Sequence, residues 1–248
     1  MGRQRLIPPR LDARPPDPHL PAMPATPLPR ILTAVLVVST IVAISMSGAG
    51  SQWRAVYWVA KPLATLAVLG LASTAARPLS PRYQRAVTVG LVFSLVGDIL
   101  LMLRADLFAA GLGALFLAHL CYLAAFLGES RFLARPVALV GYALVAGTLL
   151  AGVYSGVPEA LRWMVIAYVV VITLMAALAA VWMLDAPSPS AQRAAIGAAW
   201  FMVSDATLAI DRFRMDVPYR DLVVLGTYYV AQWCIARSIG RDDAGVTA

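Results

Sequence analysis

The chain has 248 residues, of which 60% are hydrophobic and 13% are charged, and its mean hydropathy is +0.76. Soluble domains are about 45–50% apolar and about 25% charged, so this composition excludes an ordinary soluble protein and a disordered one. Two cysteines and two histidines exclude a disulfide scaffold or a four-cysteine metal site, and leave few ligands for zinc. The net charge of +7 comes from arginines around apolar segments, which indicates membrane topology rather than nucleic-acid binding.

Residues 1–30 are polar and rich in proline, a composition that predicts a disordered N-terminal tail. Met1 and Met23 both lie in this tail as alternative translation starts. Residues 31–240 contain eight apolar segments near the length of about 20 residues that a helix needs to cross a bilayer. These segments predict transmembrane helices at residues 31–47, 56–76, 86–103, 107–127, 136–154, 160–183, 194–210 and 221–239. Residues 241–248 are predicted to be a short C-terminal tail.

The predicted fold class is therefore all-α, a polytopic bundle of eight transmembrane helices. An even number of spans places both termini on one side, and the distribution of loop arginines favours the cytoplasm for both. The first segment also has features of a signal peptide, but a retained span is the simpler interpretation because seven more spans follow. Lys61 is the only lysine beside many arginines, which suggests a GC-rich bacterial genome and hence the inner (plasma) membrane as the location.

Ionisable residues inside the predicted spans indicate a functional site, because a charge in the bilayer interior costs several kcal/mol. Asp98, His119 and Asp205 lie deep in spans 3, 4 and 7. At a rise of about 1.5 Å per residue, the two aspartates are expected at the same depth in the membrane. Lys61 lies near the outer end of span 2, where it either joins this site or extends to the membrane surface.

Spans 3 and 7 are similar around their aspartates. An aromatic residue, Phe93 or Trp200, stands five positions before the aspartate, and a small one, Gly97 or Ser204, stands directly before it. The small residues permit close helix packing. The similarity predicts that spans 1–4 and 5–8 are parallel repeats of each other.

Other polar residues are predicted to reach the same zone. Ser94 lies four positions before Asp98 and can therefore hydrogen-bond its carboxyl, while His119 and Tyr122 share one helix face. The further polar residues of the predicted site are Ser204, Tyr228, Tyr229 and Gln232. Structural hydrogen bonding between helices is the alternative explanation for each of these side chains.

Five runs of residues, in this order along the chain, carry a resemblance to a known family. They are Lys61-Pro62, Phe93–Met102 around Asp98, Phe108–Tyr122 with Gly111 and His119, Val203-Ser204-Asp205, and Thr227–Gln232. The chain resembles, over residues 31–240, the YhhN family, the bacterial branch of lysoplasmalogenase-like membrane proteins. The resemblance implies hydrolysis of the vinyl-ether bond of choline or ethanolamine lysoplasmalogen, with a fatty aldehyde and a glycerophospho-base as products. It also implies two catalytic intramembrane aspartates, and neither a metal nor another cofactor.

This chemistry suits a pair of carboxyl groups. A vinyl ether is hydrolysed by protonation of its β-carbon and capture of the oxocarbenium ion by water, which requires an acid and a base. Two neighbouring carboxyls in a low dielectric do not both ionise easily, so one of Asp98 and Asp205 is expected to be the acid and the other the base. His119 and Tyr122 would orient a carboxyl or the water, and Lys61 would bind the substrate phosphate. The expected partners are a lysophospholipid and the surrounding membrane lipids.

Four alternatives use similar residues. An intramembrane aspartyl protease is disfavoured because its Gly-x-Gly-Asp signature is replaced by Leu95-Val-Gly-Asp98. A zinc hydrolase would have only His119 and the two aspartates as ligands. A proton-coupled transporter is the main rival, since intramembrane Asp, His and Lys also form proton relays. The remaining alternative is a protein that binds lysolipid without turnover. Within the enzymatic interpretation, the substrate is then open between lysoplasmalogen and another lysolipid.

Overall fold

The structure, a computed structural model, describes residues 27–103, 107–132 and 134–241. The described residues form eight long α-helices, which confirms the predicted helical bundle. In chain order the helices are α1 (Leu28–Ser47), α2 (Arg54–Ser73), α3 (Pro81–Leu103), α4 (Phe108–Glu129), α5 (Pro136–Val153), α6 (Arg162–Asp185), α7 (Pro189–Phe213) and α8 (Arg220–Arg237). Short 3₁₀ turns precede α2 and join α5 to α6.

Several helices begin earlier than the hydropathy pattern predicts. Helix α1 begins at Leu28, inside the predicted tail. Residues 1–26, which include both alternative start methionines, and residues 242–248 lie outside the described residues. Helices α3 and α7 begin at Pro81 and Pro189, each five residues before the predicted apolar segment. Their first turns are polar, so they continue the helix beyond the apolar part of the span.

Seven helices, α1 to α7, are long and apolar enough to cross a membrane. Helix α8 is 18 residues long and has charged residues at both ends, Arg220, Asp221 and Arg237, but it packs against α7 and α2. Large apolar side chains on the outside of the bundle, such as Val137 and Leu144, are 74% and 66% exposed, as expected for surfaces that face lipid. The chain is therefore a multi-pass membrane protein.

Helices α3 and α4 approach each other closely through glycines, as predicted for Gly97. A Cβ atom on Gly97 would lie 2.8 Å from the side chain of Leu115, and one on Gly111 would be equally crowded by α3. A Cβ atom on Gly90 would overlap the ring of Tyr122. This packing fixes the height of α4 against α3, and thus the position of the buried side chains that α4 contributes to the site.

The C-terminal end of α8 is held against the loop between α2 and α3. The hydroxyls of Tyr83 and Ser238 lie 2.7 Å apart, and the backbone N–H of Arg241 donates to the carbonyl of Arg77 over 3.1 Å. The α1–α2 and α7–α8 connections, the end of α3 and the start of α4 lie at the opposite end of the bundle and surround a cleft there. The cytoplasmic location of the termini stays a prediction from the arginine distribution.

Candidate active site

Asp98 is buried and has three polar partners from two neighbouring helices. Its Oδ2 accepts hydrogen bonds from Thr65 Oγ1 (2.6 Å) and Tyr228 OH (2.8 Å). The ammonium of Lys61 lies 3.4 Å from Oδ1 and 3.5 Å from the backbone carbonyl of Asp98. Lys61 is thus turned into the bundle, with its side chain 8% exposed, and does not extend to the membrane surface. All three partners stabilise an ionised carboxylate.

A line of hydrogen bonds continues from Tyr228 to α4 and α3. Gln232 Nε2 donates to Tyr228 OH over 3.0 Å, and Tyr122 OH donates to Gln232 Oε1 over 2.9 Å. Ser94 Oγ lies 3.2 Å from Tyr122 OH at the end of this line. We predicted that Ser94 bonds Asp98, whereas its hydrogen-bond partner is Tyr122. These hydrogen bonds link α3, α4 and α8 beside the carboxylate of Asp98.

Two further predicted site residues connect helices around the aspartates. Tyr229 OH donates to the backbone carbonyl of Lys61 over 2.7 Å and lies 3.4 Å from Thr65 Oγ1. Ser204 Oγ donates to the carbonyl of Val224 over 3.0 Å. These bonds fasten α8 to α2, which carries two partners of Asp98, and to α7, which carries Asp205.

Asp205 has a different set of partners. Tyr168 OH donates to its Oδ2 over 2.5 Å, and His119 Nε2 lies 3.7 Å from the same oxygen. The His119 ring is fully buried, and its Nδ1 lies 2.6 Å from the carbonyl of Leu115. Because a carbonyl only accepts, Nδ1 carries a hydrogen, and a neutral ring therefore points an Nε2 lone pair towards Asp205. No group among the described residues forms a hydrogen bond with this Nε2 atom.

The two groups of polar residues meet at Phe201. Its ring centroid lies 4.5 Å from that of His119 and 5.3 Å from that of Tyr228, in edge-to-face contact with both. Phe201 thus separates the partners of Asp205 from those of Asp98. The site contains both aspartates of the predicted pair, but each carboxyl has its own set of partners.

Both aspartates line one cleft of about 890 Å³. The cleft opens between the α1–α2 connection, the α7–α8 connection and the adjacent ends of α3 and α4, and buried Lys61 also lines it. Its mouth is rich in charge of both signs, contributed by Arg54, Asp211, Arg212, Asp216, Arg220 and Asp221. Arg220 is paired with Asp211 (3.2 Å) and Asp221 (2.6 Å). The cleft therefore leads from a charged surface to the buried carboxyls.

Thr65, Tyr168 and Phe201 belong to the site but were not predicted. Thr65 follows Lys61 by four residues on α2, and this spacing was a signal for its position. Tyr168 lies in an apolar helix with no charged residue near it in sequence. Among the residues that the structure describes, no three His, Cys, Asp or Glu side chains form a group able to hold a metal ion.

Comparison with known proteins places the chain in a family. The sequence profile of the YhhN family matches residues 56–239. Lysoplasmalogenase TMEM86A of Bos taurus is 35% identical over 159 residues, which are 61% of this chain and 64% of that protein. Lysoplasmalogenase TMEM86A of Homo sapiens is 35% identical over 173 residues, or 68% of this chain and 69% of that protein. The membrane protein YhhN of Escherichia coli O157:H7 is 28% identical over 205 residues, or 82% of this chain and 95% of that protein.

No solved structure matches the chain. The aligned region spans slightly less than two thirds of bovine TMEM86A, at 64% of its length. The family profile, in contrast, begins in α2 and ends just after α8, so it includes both aspartates and all of their partners. Because this match covers most of its length, the chain belongs to the YhhN family.

Proposed function

We propose that the protein is an integral-membrane lysoplasmalogenase. It hydrolyses the vinyl-ether bond of a choline or ethanolamine lysoplasmalogen to a fatty aldehyde and a glycerophospho-base. The observation that carries the proposal is a pair of carboxyls in one cleft, with the side chains of Asp98 and Asp205 4% and 12% exposed. Among the described residues, Asp98 has a cationic partner, Lys61, and Asp205 has neither a lysine nor an arginine partner. Relatives that are 35% identical bear the name lysoplasmalogenase, which supports this reaction among those that an acid and a base within a membrane can perform.

Asp205 is the proton donor in this proposal. Its partners are the phenol of Tyr168 and the imidazole of His119, and neither carries a charge in its neutral form. A buried carboxyl without a cationic partner favours its protonated form. Both contacts involve Oδ2, which leaves Oδ1 to carry the proton. As the proton passes to the β-carbon of the vinyl ether, the Tyr168 hydroxyl stabilises the carboxylate that forms.

Asp98 remains ionised throughout the reaction. The ammonium of Lys61 and the hydroxyls of Thr65 and Tyr228 hold its negative charge. This charge lies in the same cleft as Asp205 and stabilises the oxocarbenium ion electrostatically. Both oxygens of Asp98 already face these partners, so a different group accepts the proton of the attacking water.

His119 is that base. Its Nδ1–H is held by the carbonyl of Leu115, so Nε2 is the free acceptor beside Asp205. Water adds to the carbon that bears the ether oxygen, and Nε2 accepts the released proton. The resulting hemiacetal breaks its bond to the glycerol oxygen, its hydroxyl proton passes to that oxygen, and the aldehyde forms. His119 then returns its proton to Asp205, which restores the starting state.

The charged mouth of the cleft binds the headgroup. Lys61 is already paired with Asp98, so we assign the phosphate to Arg54 and Arg212 instead of Lys61. Both guanidinium groups line the mouth of the cleft, and guanidinium groups bind phosphate in a bidentate geometry. Asp216 lines the same mouth and complements the positive choline or ethanolamine.

The test is release of aldehyde from choline and ethanolamine lysoplasmalogen by the purified protein. Asp205→Asn and Asp98→Asn are each expected to abolish release, His119→Gln is expected to slow it, and a chelator is expected to have no effect. Asp185→Asn is the matched control, because Asp185 lies at the end of α6, 3.9 Å from Arg135 and outside the cleft. A wild-type protein that is folded and releases no aldehyde would refute the proposal and make proton flux the next assay.

A further inference from the structure

A second cavity lies on the other side of Asp205. It is enclosed by α4, α5, α6 and α7, and Asp205 and Tyr168 supply its polar lining, while the rest is apolar, for example Ala146 and Ile172. Asp205 also lines the charged cleft described above. The proposed acid therefore stands at the boundary between a polar cleft and an apolar cavity.

The apolar cavity adjoins the lipid-facing surface along one seam. A shallow groove on the outside of the bundle runs between α5 and α7. The cavity and the groove share the lining residues Leu149, Met202, Ala206 and Ile210. Helix α5, which forms one side of the seam, is loosely packed, since only Ala146 and Val153 of its 18 residues are buried.

We propose that the seam between α5 and α7 is the entry path and binding site for the O-alkenyl chain of the lysolipid. The inference rests on the proposed function and names the part of the protein that holds the chain. In a lysoplasmalogen the vinyl ether joins the polar glycerophospho-base to the apolar chain. The cavity has a volume of about 90 Å³ and therefore takes the first carbons of the chain, while the rest of the chain lies in the groove of about 570 Å³. With the headgroup in the cleft, the vinyl-ether bond then lies at Asp205, which lines both the cleft and the cavity.

The location also lets an apolar chain avoid the charged cleft. The chain moves from the bilayer between α5 and α7, and only the headgroup must pass the charged mouth. The aldehyde product has an apolar chain and leaves by the same seam, while the glycerophospho-base leaves through the cleft. Separate exits of this kind need both openings to reach Asp205, which is the arrangement described above.

Ala146 offers a specific way to fill the cavity. It is 5% exposed, lines the cavity from α5, and lies outside the proposed catalytic residues. Ala146→Phe places a ring in the space assigned to the chain, and Ala146→Leu is a smaller variant should the larger one fail to fold. Ala151→Phe is the matched control, because Ala151 is an exposed alanine of the same helix that lines neither the cavity nor the groove.

The first measurement needs no turnover. A 1-O-alkyl lysophosphocholine with a diazirine on its chain is photo-crosslinked to the protein in detergent, and the labelled peptides are identified by mass spectrometry. We expect label in α5 and α7 that is displaced by excess unlabelled 1-O-hexadecyl lysophosphocholine, strongly reduced in Ala146→Phe, and unchanged in Ala151→Phe. Label that resists competition, or that is unaffected by Ala146→Phe in a folded protein, would overturn the inference.

The second measurement is chain-length selectivity in aldehyde release. Ala146→Phe is expected to raise the KM for a hexadecenyl substrate by about tenfold, the effect of losing about two buried methylenes. The KM for an octenyl substrate should stay near that of wild type. Equal changes for both chain lengths would overturn the inference. If no protein releases aldehyde but crosslinking follows the expected pattern, the proposed reaction fails while the chain site stands.

Discussion

The ion pair between Lys61 and Asp98 tests which carboxyl is ionised. Their charged atoms lie 3.4 Å apart, and the side chains are 8% and 4% exposed. At an effective dielectric constant of about 20, two unit charges at this distance attract by about 5 kcal/mol. Removal of one partner of a buried pair costs about 3–5 kcal/mol, because the other charge is left uncompensated. Lys61→Met is therefore expected to lower the free energy of unfolding by about 3–5 kcal/mol.

A double-mutant cycle separates this attraction from the loss of packing. Lys61→Met, Asp98→Asn and the double variant are unfolded in detergent, and the free energies are compared with that of wild type. The double variant should be more stable than Lys61→Met alone, with a coupling energy of at least about 2 kcal/mol. Arg135→Met is the control, because its contact with Asp185 is longer, at 3.9 Å, and its side chain is 50% exposed. Its effect should stay below about 1 kcal/mol.

The coupling energy decides whether Asp98 or Asp205 is the acid. Coupling of the expected size means that Asp98 carries a negative charge in the folded protein, which leaves Asp205 as the proton donor. A coupling energy near zero would mean that Asp98 is neutral. The division of roles between the two carboxyls would then be wrong, even if both variants lost activity.

Three further predictions follow from the same geometry. Tyr168→Phe removes the hydroxyl that contacts the proposed acid and should slow aldehyde release about tenfold or more in the folded protein, as expected for a hydrogen bond to a developing charge. An unchanged rate would contradict that role. Gly90→Ala should lower the melting temperature because the added Cβ overlaps the ring of Tyr122. Gly113→Ala should not lower it, because no described neighbouring side chain or helix lies within 4 Å of the added Cβ. Equal shifts would contradict the close packing of α3 and α4. With both native cysteines replaced, Arg54→Cys at the cleft mouth should react with an impermeant maleimide added outside the cell, and Arg85→Cys at the other end should not. The reverse pattern would place the termini outside.

The sequence was sufficient to find the charged residues of the site because charges are rare in an apolar helix and stand out for that reason. Asp98, Asp205, His119 and Lys61 were all recognised on this ground, and each contacts another member of the site or lines the cleft. The helical bundle was predictable for the same reason, since about 20 apolar residues in a row have few other structures available.

Neutral hydroxyls were missed because a helix in a membrane accommodates them easily. Thr65 and Tyr168 each donate to an aspartate, yet neither residue is unusual in an apolar helix. The error at Ser94 has a related cause. Helical spacing puts Ser94 and Asp98 on one face, but a partner is chosen by the neighbouring helices, and the hydroxyl of Tyr122 reaches Ser94 from α4.

The contacts of the two aspartates follow one pattern in the two halves of the chain. Asp98 on α3 accepts one hydroxyl from α2 and one from α8. Asp205 on α7 accepts one hydroxyl from α6 and faces a side chain of α4. Exchange of the first four helices with the last four converts the helices of one description into those of the other. The contacts differ in one respect, since α8 supplies the hydroxyl of Tyr228 and α4 supplies the imidazole of His119 at 3.7 Å. This correspondence is what a parallel repeat requires, and it explains why two aspartates distant in sequence line the same cleft.

Within this shared pattern, one difference between the halves corresponds to the different roles proposed for the carboxyls. In the first half, Lys61 precedes the donor Thr65 by four residues, or about one helical turn, and supplies a cation. In the second half, the residue four positions before the donor Tyr168 is Met164, which packs against the apolar core. A charged neighbour thus occurs in the first half of the chain and an uncharged one in the second half. The different neighbours of the two carboxyls thus support the proposed division of roles, in which Asp205 donates the proton and Asp98 carries the charge.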